Sequence, residues 1–186
     1  MKRVLMMLMM LTTCLTIVEA QSAKEERAKL REERRQEQAR LDSLFYLQSV
    51  KAIEEKSFVL EADRVIFKRG QTAYVSSNTN FVALDGDKAT VQIAFNIPVS
   101  GPNGIGGITV DGTVSGYEQK TDKKGNLYVN FNVSGVGISA RVDITLPHNS
   151  QNASVTILPN FNSNRLTLDG HILPLHLSNI YKGTAL

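Results

Sequence analysis

Asp85, Gly86 and Asp87 stand between two apolar segments in "FVALDGDKATVQIAF", residues 81–95. Two carboxylates so close together could begin a shell for a hard cation. A calcium loop, however, needs several oxygen donors that converge, in a D-x-D-x-D-G order closed by a distant Glu. Here Lys88 follows at once and no Glu closes the loop. Asp-Gly also supplies the positive φ angles of a type I′ hairpin turn at low cost. A turn is the expected role, and no metal ligand is assigned.

The other residues able to do chemistry are scattered. His148, His171 and His176 are the three histidines. His171, Asp169 and a serine could be written as a triad, but no G-x-S-x-G is present to present the nucleophile. His171 and His176 are interrupted by Pro174 and lack a third metal ligand, so surface positions are expected for the histidines. The glycines of "PVSGPNGIGGI", residues 98–108, do not fit G-x-G-x-x-G and lead into a strand, so a phosphate cradle lacks its helix N-terminus. That stretch reads as a connection at a barrel mouth, with a lid over a cavity as its functional alternative. Glu61, Asp63, Asp111, Asp143 and Asp169 mostly fall on the polar phase of their strands, which argues against a paired-carboxylate glycosidase cleft. No catalytic residue and no cofactor is assigned, and an enzyme is not the expected class.

These side chains must be held by two segments of different character. The N-terminus, "MKRVLMMLMMLTTCLTIVEAQ", has a basic start, a short apolar run and small residues at Val18 and Ala20. It reads as a secretory signal over residues 1–20 rather than a membrane span. A secreted or periplasmic location is expected. Cys14 is the only cysteine, and "LTTC" lacks the Gly or Ala of a lipobox, so lipoprotein processing is disfavoured. Cleavage after Ala20 would leave a chain without a thiol, excluding disulfides and cysteine nucleophiles.

Residues 21–56 contain neither Gly nor Pro and carry nine basic and eight acidic residues. The first half is charged on nearly every face, and it reads as a solvated spacer or a partner-binding arm. Leu41, Leu44, Phe45, Leu47, Val50 and Ile53 form an apolar stripe, predicting a helix from about Arg40 to Glu55 that packs on the following domain. Residues 57–186 carry ten basic and nine acidic residues, so neither segment has the footprint of a nucleic-acid binder.

From Ser57 onward the period is two. Val91, Ile93 and Phe95 alternate with Thr90, Gln92 and Ala94, and Leu127 to Val133 and Ile138 to Leu146 repeat the pattern. Apolar on one face and polar on the other means antiparallel strands with one wet side. Turn signals fall at "KRGQ" 68–71, "DGDK" 85–88, "DKKGN" 122–126, "HNSQN" 148–152, "NFNSN" 160–164 and "LDGH" 168–171. The fold class is mainly β: an up-and-down antiparallel meander that closes into a lipocalin-like β-barrel, preceded by an N-terminal α-helix. The domains are then 1–20 signal peptide, 21–56 helical leader and 57–186 barrel. The polar face carries Asp, Arg and Lys and the chain has no Trp, against the pattern of an outer-membrane barrel.

"SFVLEADRV", "NFVALDGDKATVQ", "GIGGITVDGTVSGYE" and "RLTLDGHI", in that order after a signal and a helical leader, resemble the family named domain of unknown function 4251. The resemblance runs from about residue 45 to the C-terminus. It implies a secreted protein of Bacteroidetes with a lipocalin-like barrel, and it implies no activity or binding residue.

The expected function is a small apolar ligand held in the barrel interior, lined by Phe81, Val91, Ile93, Phe95, Val110, Val129, Phe131, Val142 and Ile144. An eight-stranded barrel is about wide enough to fill with its own side chains or to hold one small ligand. The alternative is a solid barrel that docks to an envelope protein partner through residues 21–40.

Overall fold

The computed structural model describes residues 2–94, 107–136, 139–160 and 165–184, with side chains of the first helix from Lys24 onward. Helix α1 spans Lys2–Glu54, followed by β1 (Ser57–Phe67), β2 (Thr72–Tyr74), β3 (Phe81–Asp85), β4 (Lys88–Ala94), β5 (Gly107–Thr121), β6 (Leu127–Gly135), β7 (Ser139–Leu146), β8 (Asn152–Pro159) and β9 (Leu166–Pro174). A 3-10 turn at Leu175–Leu177 precedes an extended C-terminal segment. The residues up to Leu41 and those from Asp42 onward are two compact units. In the first, every side chain described, from Lys24 to Leu41, is exposed, as a charge-laden segment requires. No helix among the described residues is long and apolar enough to cross a membrane.

In the second unit each strand from β3 to β9 pairs antiparallel with its neighbour in sequence, and β9 returns to β1. Eight strands therefore close into a barrel, an architecture consistent with the lipocalin-like class expected. The short β2 lies beside the far half of β1, on the same side of it as β3. Closure places the alternating apolar residues inside. Phe58, Leu60, Leu127, Phe131, Ile144, Leu146 and Leu168 are all fully buried. Each such side chain contributes about 1.5–3 kcal/mol by leaving water.

The part of α1 within the second unit, from Asp42, covers one end of the barrel, but mostly not with the face that its leucines suggest. Tyr46, Ser49, Ala52 and Ile53 are buried, whereas Leu41, Leu44, Phe45 and Leu47 are exposed. Polar anchoring explains the choice. Tyr46 donates from its hydroxyl to the Gly125 carbonyl at 2.7 Å, and Ser49 donates to the Ile172 carbonyl at 2.8 Å. Tyr117 donates to the Ile53 carbonyl at 2.9 Å, satisfying one of the acceptors a helix C-terminus leaves open.

The turn expected at residues 85–88 forms, with its type corrected, and the turn expected at 168–171 does not. Asp85 pairs with Lys88, so the hairpin loop is Gly86-Asp87, and only Gly86 has positive φ (+59°). That pattern, with Gly first, belongs to the II′ rather than the I′ turn. Nothing lies within 4 Å of a Cβ added there. Gly86→Ala is therefore expected to cost only the local backbone term, about 1–2 kcal/mol, measured by urea denaturation. "LDGH" is no turn at all. Leu168 to His171 lie inside β9, and Gly170 faces β1 beside a bulge between Ala62 and Arg64. The "NFNSN" prediction falls mostly on residues 161–164, and the glycine-rich connection on 98–106, outside the described residues.

A second bulge interrupts β5, where Gly116 and Tyr117 together oppose Phe131. Gly116 adopts φ +62°, the left-handed conformation that starts a bulge of the glycine type.

The outer face of β3 is covered as well. Val59, Phe81 and Ala83 form a small second core beneath Leu173, Leu175 and Ile180. The C-terminal segment straps this face. Gln92, fully buried, donates to the carbonyls of Thr79 (3.0 Å) and Tyr181 (2.7 Å) and accepts from the Thr109 hydroxyl (2.9 Å) and the Gly183 amide (2.8 Å).

Candidate functional site

Among the described residues, the cavity at the barrel end opposite Tyr46–Ile53 is lined by apolar side chains. Val91 and Ile93 come from β4, Ile108 and Val110 from β5, Val133 and Ala140 from the β6 and β7 ends, and Ile157, Pro159 and Leu166 from β8 and β9. Strand register brings them together. Val91 pairs with Val110, Ile93 with Ile108, and Val133 with Ala140, and directly opposed residues share a face. The cavity they enclose measures about 70 Å³. Roughly 10–15 Å³ on this measure admits one water, and drug-sized ligands occupy about 300–1,000 Å³. The space suits one branched aliphatic group or the end of a chain.

Of the predicted interior residues, Val91, Ile93 and Val110 line this cavity. Val129, Phe131, Val142 and Ile144 sit deeper, in the filled core. Phe81 is corrected: it opposes Gln92 on the outer face and belongs to the small second core, while Val82 and Leu84 point inward. Phe95 lies outside the described residues. The lining contributed by β8 and β9 escaped the prediction, although Ala153, Val155, Ile157 and Pro159 alternate with period two like the other strands.

Outside the barrel several charged residues are paired. The Asp169 carboxylate accepts from Arg64 (Nε at 3.0 Å) and from the Ser154 hydroxyl at 2.7 Å. That pairing raises the Arg64 guanidinium above its ordinary value, the hydrogen bond to Asp169 being the larger cause. His171 shares this face but its Nδ1 lies 3.3 Å from the Gln151 carbonyl, so it does not activate Ser154. Asp111 accepts from the Thr90 hydroxyl at 2.6 Å and pairs with Lys182 at 2.6 Å. Two concavities, about 470 and 590 Å³, run past these groups as solvent-open grooves on the wall. Among the described residues no group of three His, Cys, Asp or Glu side chains could hold a metal ion.

Two tyrosines and one carboxylate have shifted equilibria, all at the helix-covered end. Burial pushes the Tyr117 hydroxyl up to about 12. Burial, then the nearby Asp122 charge, raises Tyr46. Asp122 is held below the usual carboxylate range, first by the hydrogen bond from the Asn126 side chain, at 2.8 Å. Each of these groups closes a turn or a helix end. None lines the mouth cavity, whose described lining is apolar.

A family model described as "Domain of unknown function (DUF4251)" matches residues 41–172. A solved structure, the crystal structure of a DUF4251 family protein from Bacteroides eggerthii DSM 20697, is 52% identical with a TM-score of 0.67. The match covers 76% of this chain and 95% of that one. Among curated proteins none matches.

Proposed function

The chain belongs to the DUF4251 family, and from that premise we propose that it is a non-enzymatic binding module, secreted or periplasmic, whose barrel mouth holds the apolar end of a small ligand. The observation that carries this reading is a cavity whose described lining is wholly aliphatic, at the end of an otherwise filled barrel. Burying one aliphatic group is worth about 1.5–3 kcal/mol, whereas even a millimolar complex needs about 4 kcal/mol. The ligand must therefore extend beyond the cavity and gain further contacts at the rim. An amphiphile with a short alkyl tail meets that requirement.

The test is native mass spectrometry of protein purified from its own host, followed by thermal-shift titration with medium-chain fatty acids and alcohols. A retained small molecule, or a dose-dependent rise in Tm that Ala140→Leu abolishes by filling the cavity, is the expected result. No retained molecule and no shift with any chain length would refute it. N-terminal sequencing checks the location: the proposal requires a mature chain starting near Gln21.

The filled core supports a second reading, a solid barrel that acts through its leader. Residues 24–40 are helical and exposed along their length, as an arm for an envelope partner would be. Deleting residues 21–40 should then abolish partner capture, whereas it should leave alkyl binding at the mouth intact.

A further inference from the structure

We propose that a second copy of this chain pairs with the free edge of β5, giving a two-fold dimer through an intermolecular antiparallel ladder centred on Gln119. β4 accompanies β5 only as far as Thr113, opposite Lys88, and the Val114 amide then donates to the Asp87 carbonyl. β6 continues beside β5 to Thr121. From Ser115 to Thr121, therefore, β5 has a strand partner on one side only among the described residues. Glu118, Gln119, Lys120 and Thr121 are all exposed. An open edge of this kind is a template for another strand.

The edge is held in place before it is met. The Tyr117 ring stacks on Phe131 with centroids 6.1 Å apart, Lys56 lies 4.8 Å over its centroid, and its hydroxyl is tied to Ile53. A preordered strand loses little conformational freedom on pairing. The glycine bulge lies before Tyr117, so the stretch from Glu118 to Thr121 remains in regular register with β6.

Charge selects the occupant and the register. A two-fold axis through Gln119 sets Glu118 of each copy opposite Lys120 of the other, giving two cross-strand ion pairs. Moving the axis one residue either way sets Glu118 against Glu118 or Lys120 against Lys120, and directly opposed like charges destabilise a ladder. A lysine on an edge ordinarily keeps other strands away. Here the accompanying glutamate makes that guard complementary to itself, and neither residue has an ion-pair partner within its own chain among the described residues.

The test is sedimentation velocity over a concentration series, using protein purified as the producing cell processes it. The wild type is expected to show a reversible dimer. Glu118→Lys and Lys120→Glu each turn two attractive pairs into repulsive ones and should weaken the dimer about tenfold or more. The double variant E118K/K120E restores complementarity and should dimerise like wild type. An equimolar mixture of the two single variants should form a heterodimer, because one carries two lysines and the other two glutamates. Hydrogen exchange should slow at the amides of Gln119 and Thr121, which point away from β6, upon dimerisation. Both side chains are exposed, so circular dichroism, and Tm at concentrations where every variant is monomeric, serve as folding controls expected to stay unchanged. A wild type that is monomeric at every soluble concentration overturns the proposal. So does a dimer whose strength is indifferent to either charge reversal.

Discussion

A chain carrying Gly170→Ala is expected to lose more than about 4 kcal/mol of stability, a size confined to a short list of structural failures. Gly170 lies in β9 opposite Ala62, where β1 bulges. A Cβ at this position would collide with the Glu61 carbonyl oxygen and lie 2.7 Å from both the Glu61 carbonyl carbon and Ala62 Cα. All three are backbone atoms, so no side-chain rotation relieves the clash. Moving the backbone would break the seam between β1 and β9, which runs from Phe58–Pro174 to Phe67–Leu166. Neighbouring contacts hold that seam on both sides, Ser178 on Glu61 and Arg64 on Asp169. Urea denaturation followed by far-UV circular dichroism measures the loss, with Gly86→Ala as the control for backbone strain without a clash. A deficit at Gly170 no larger than that control would show that the seam yields and that the close approach is not required.

The second large effect is expected at Gln92. Its amide makes four hydrogen bonds from a fully buried position, two given and two received. Gln92→Leu keeps most of the volume and removes all four of those hydrogen bonds. A buried polar group without a partner costs about 1–3 kcal/mol. Tyr181 and Gly183 can regain partners by lifting the C-terminal segment into water. The expected result is a loss of about 3 kcal/mol, together with fast hydrogen exchange at Gly183 and at Tyr181. Exposure of Phe81 and Ala83 should follow, detectable as binding of a hydrophobic dye to the folded protein. Gln92→Glu separates polarity from shape. At neutral pH a carboxylate would face two carbonyl oxygens. In acid its protonated form regains one donor, so its deficit against wild type should shrink as pH falls. Unchanged exchange at Gly183 in Gln92→Leu would refute the strap.

Strand alternation was legible wherever one face met the interior and the other met water. Val91, Ile93, Val110, Val129 and Phe131 read correctly for that reason. The same rule failed at β3, because "FVAL" is apolar on both faces and its phase is ambiguous. The hairpin register resolves it: Asp85 opposite Lys88 forces Val82 opposite Val91, and Phe81 outward. Gln92 and Thr109 carry the polar signal of a wet face yet are buried, since the segment that covers them comes from the far end of the chain. No local pattern encodes a remote cover. Asp169-Gly170 looked like a turn because an Asp-Gly pair has two physical uses, left-handed backbone and close approach, and composition does not tell them apart. The helix was found and its stripe holds at Val50 and Ile53, but Leu41, Leu44, Phe45 and Leu47 stay exposed because Tyr46 and Ser49 dock through hydroxyls that a hydropathy stripe ignores. The mouth cavity was half legible: the aliphatic lining followed from periodicity, whereas how much of it stays unfilled depends on the packing of all eight strands.

The β1–β9 seam also orders events in time. It joins residues such as Arg64 and Asp169, 105 positions apart, so the ring cannot close until the last strand is available. Hairpins from β3 to β8 can form as neighbours emerge, but β1 must wait with one edge unpaired. At about 5–20 residues per second of synthesis, that wait lasts seconds, long compared with the microseconds in which a hairpin forms. The cost of late, long-range pairing is slow folding and a period of exposed edge. For this chain, the first strand made is the last to be sealed, and the interval between the two is when aggregation competes with the native state.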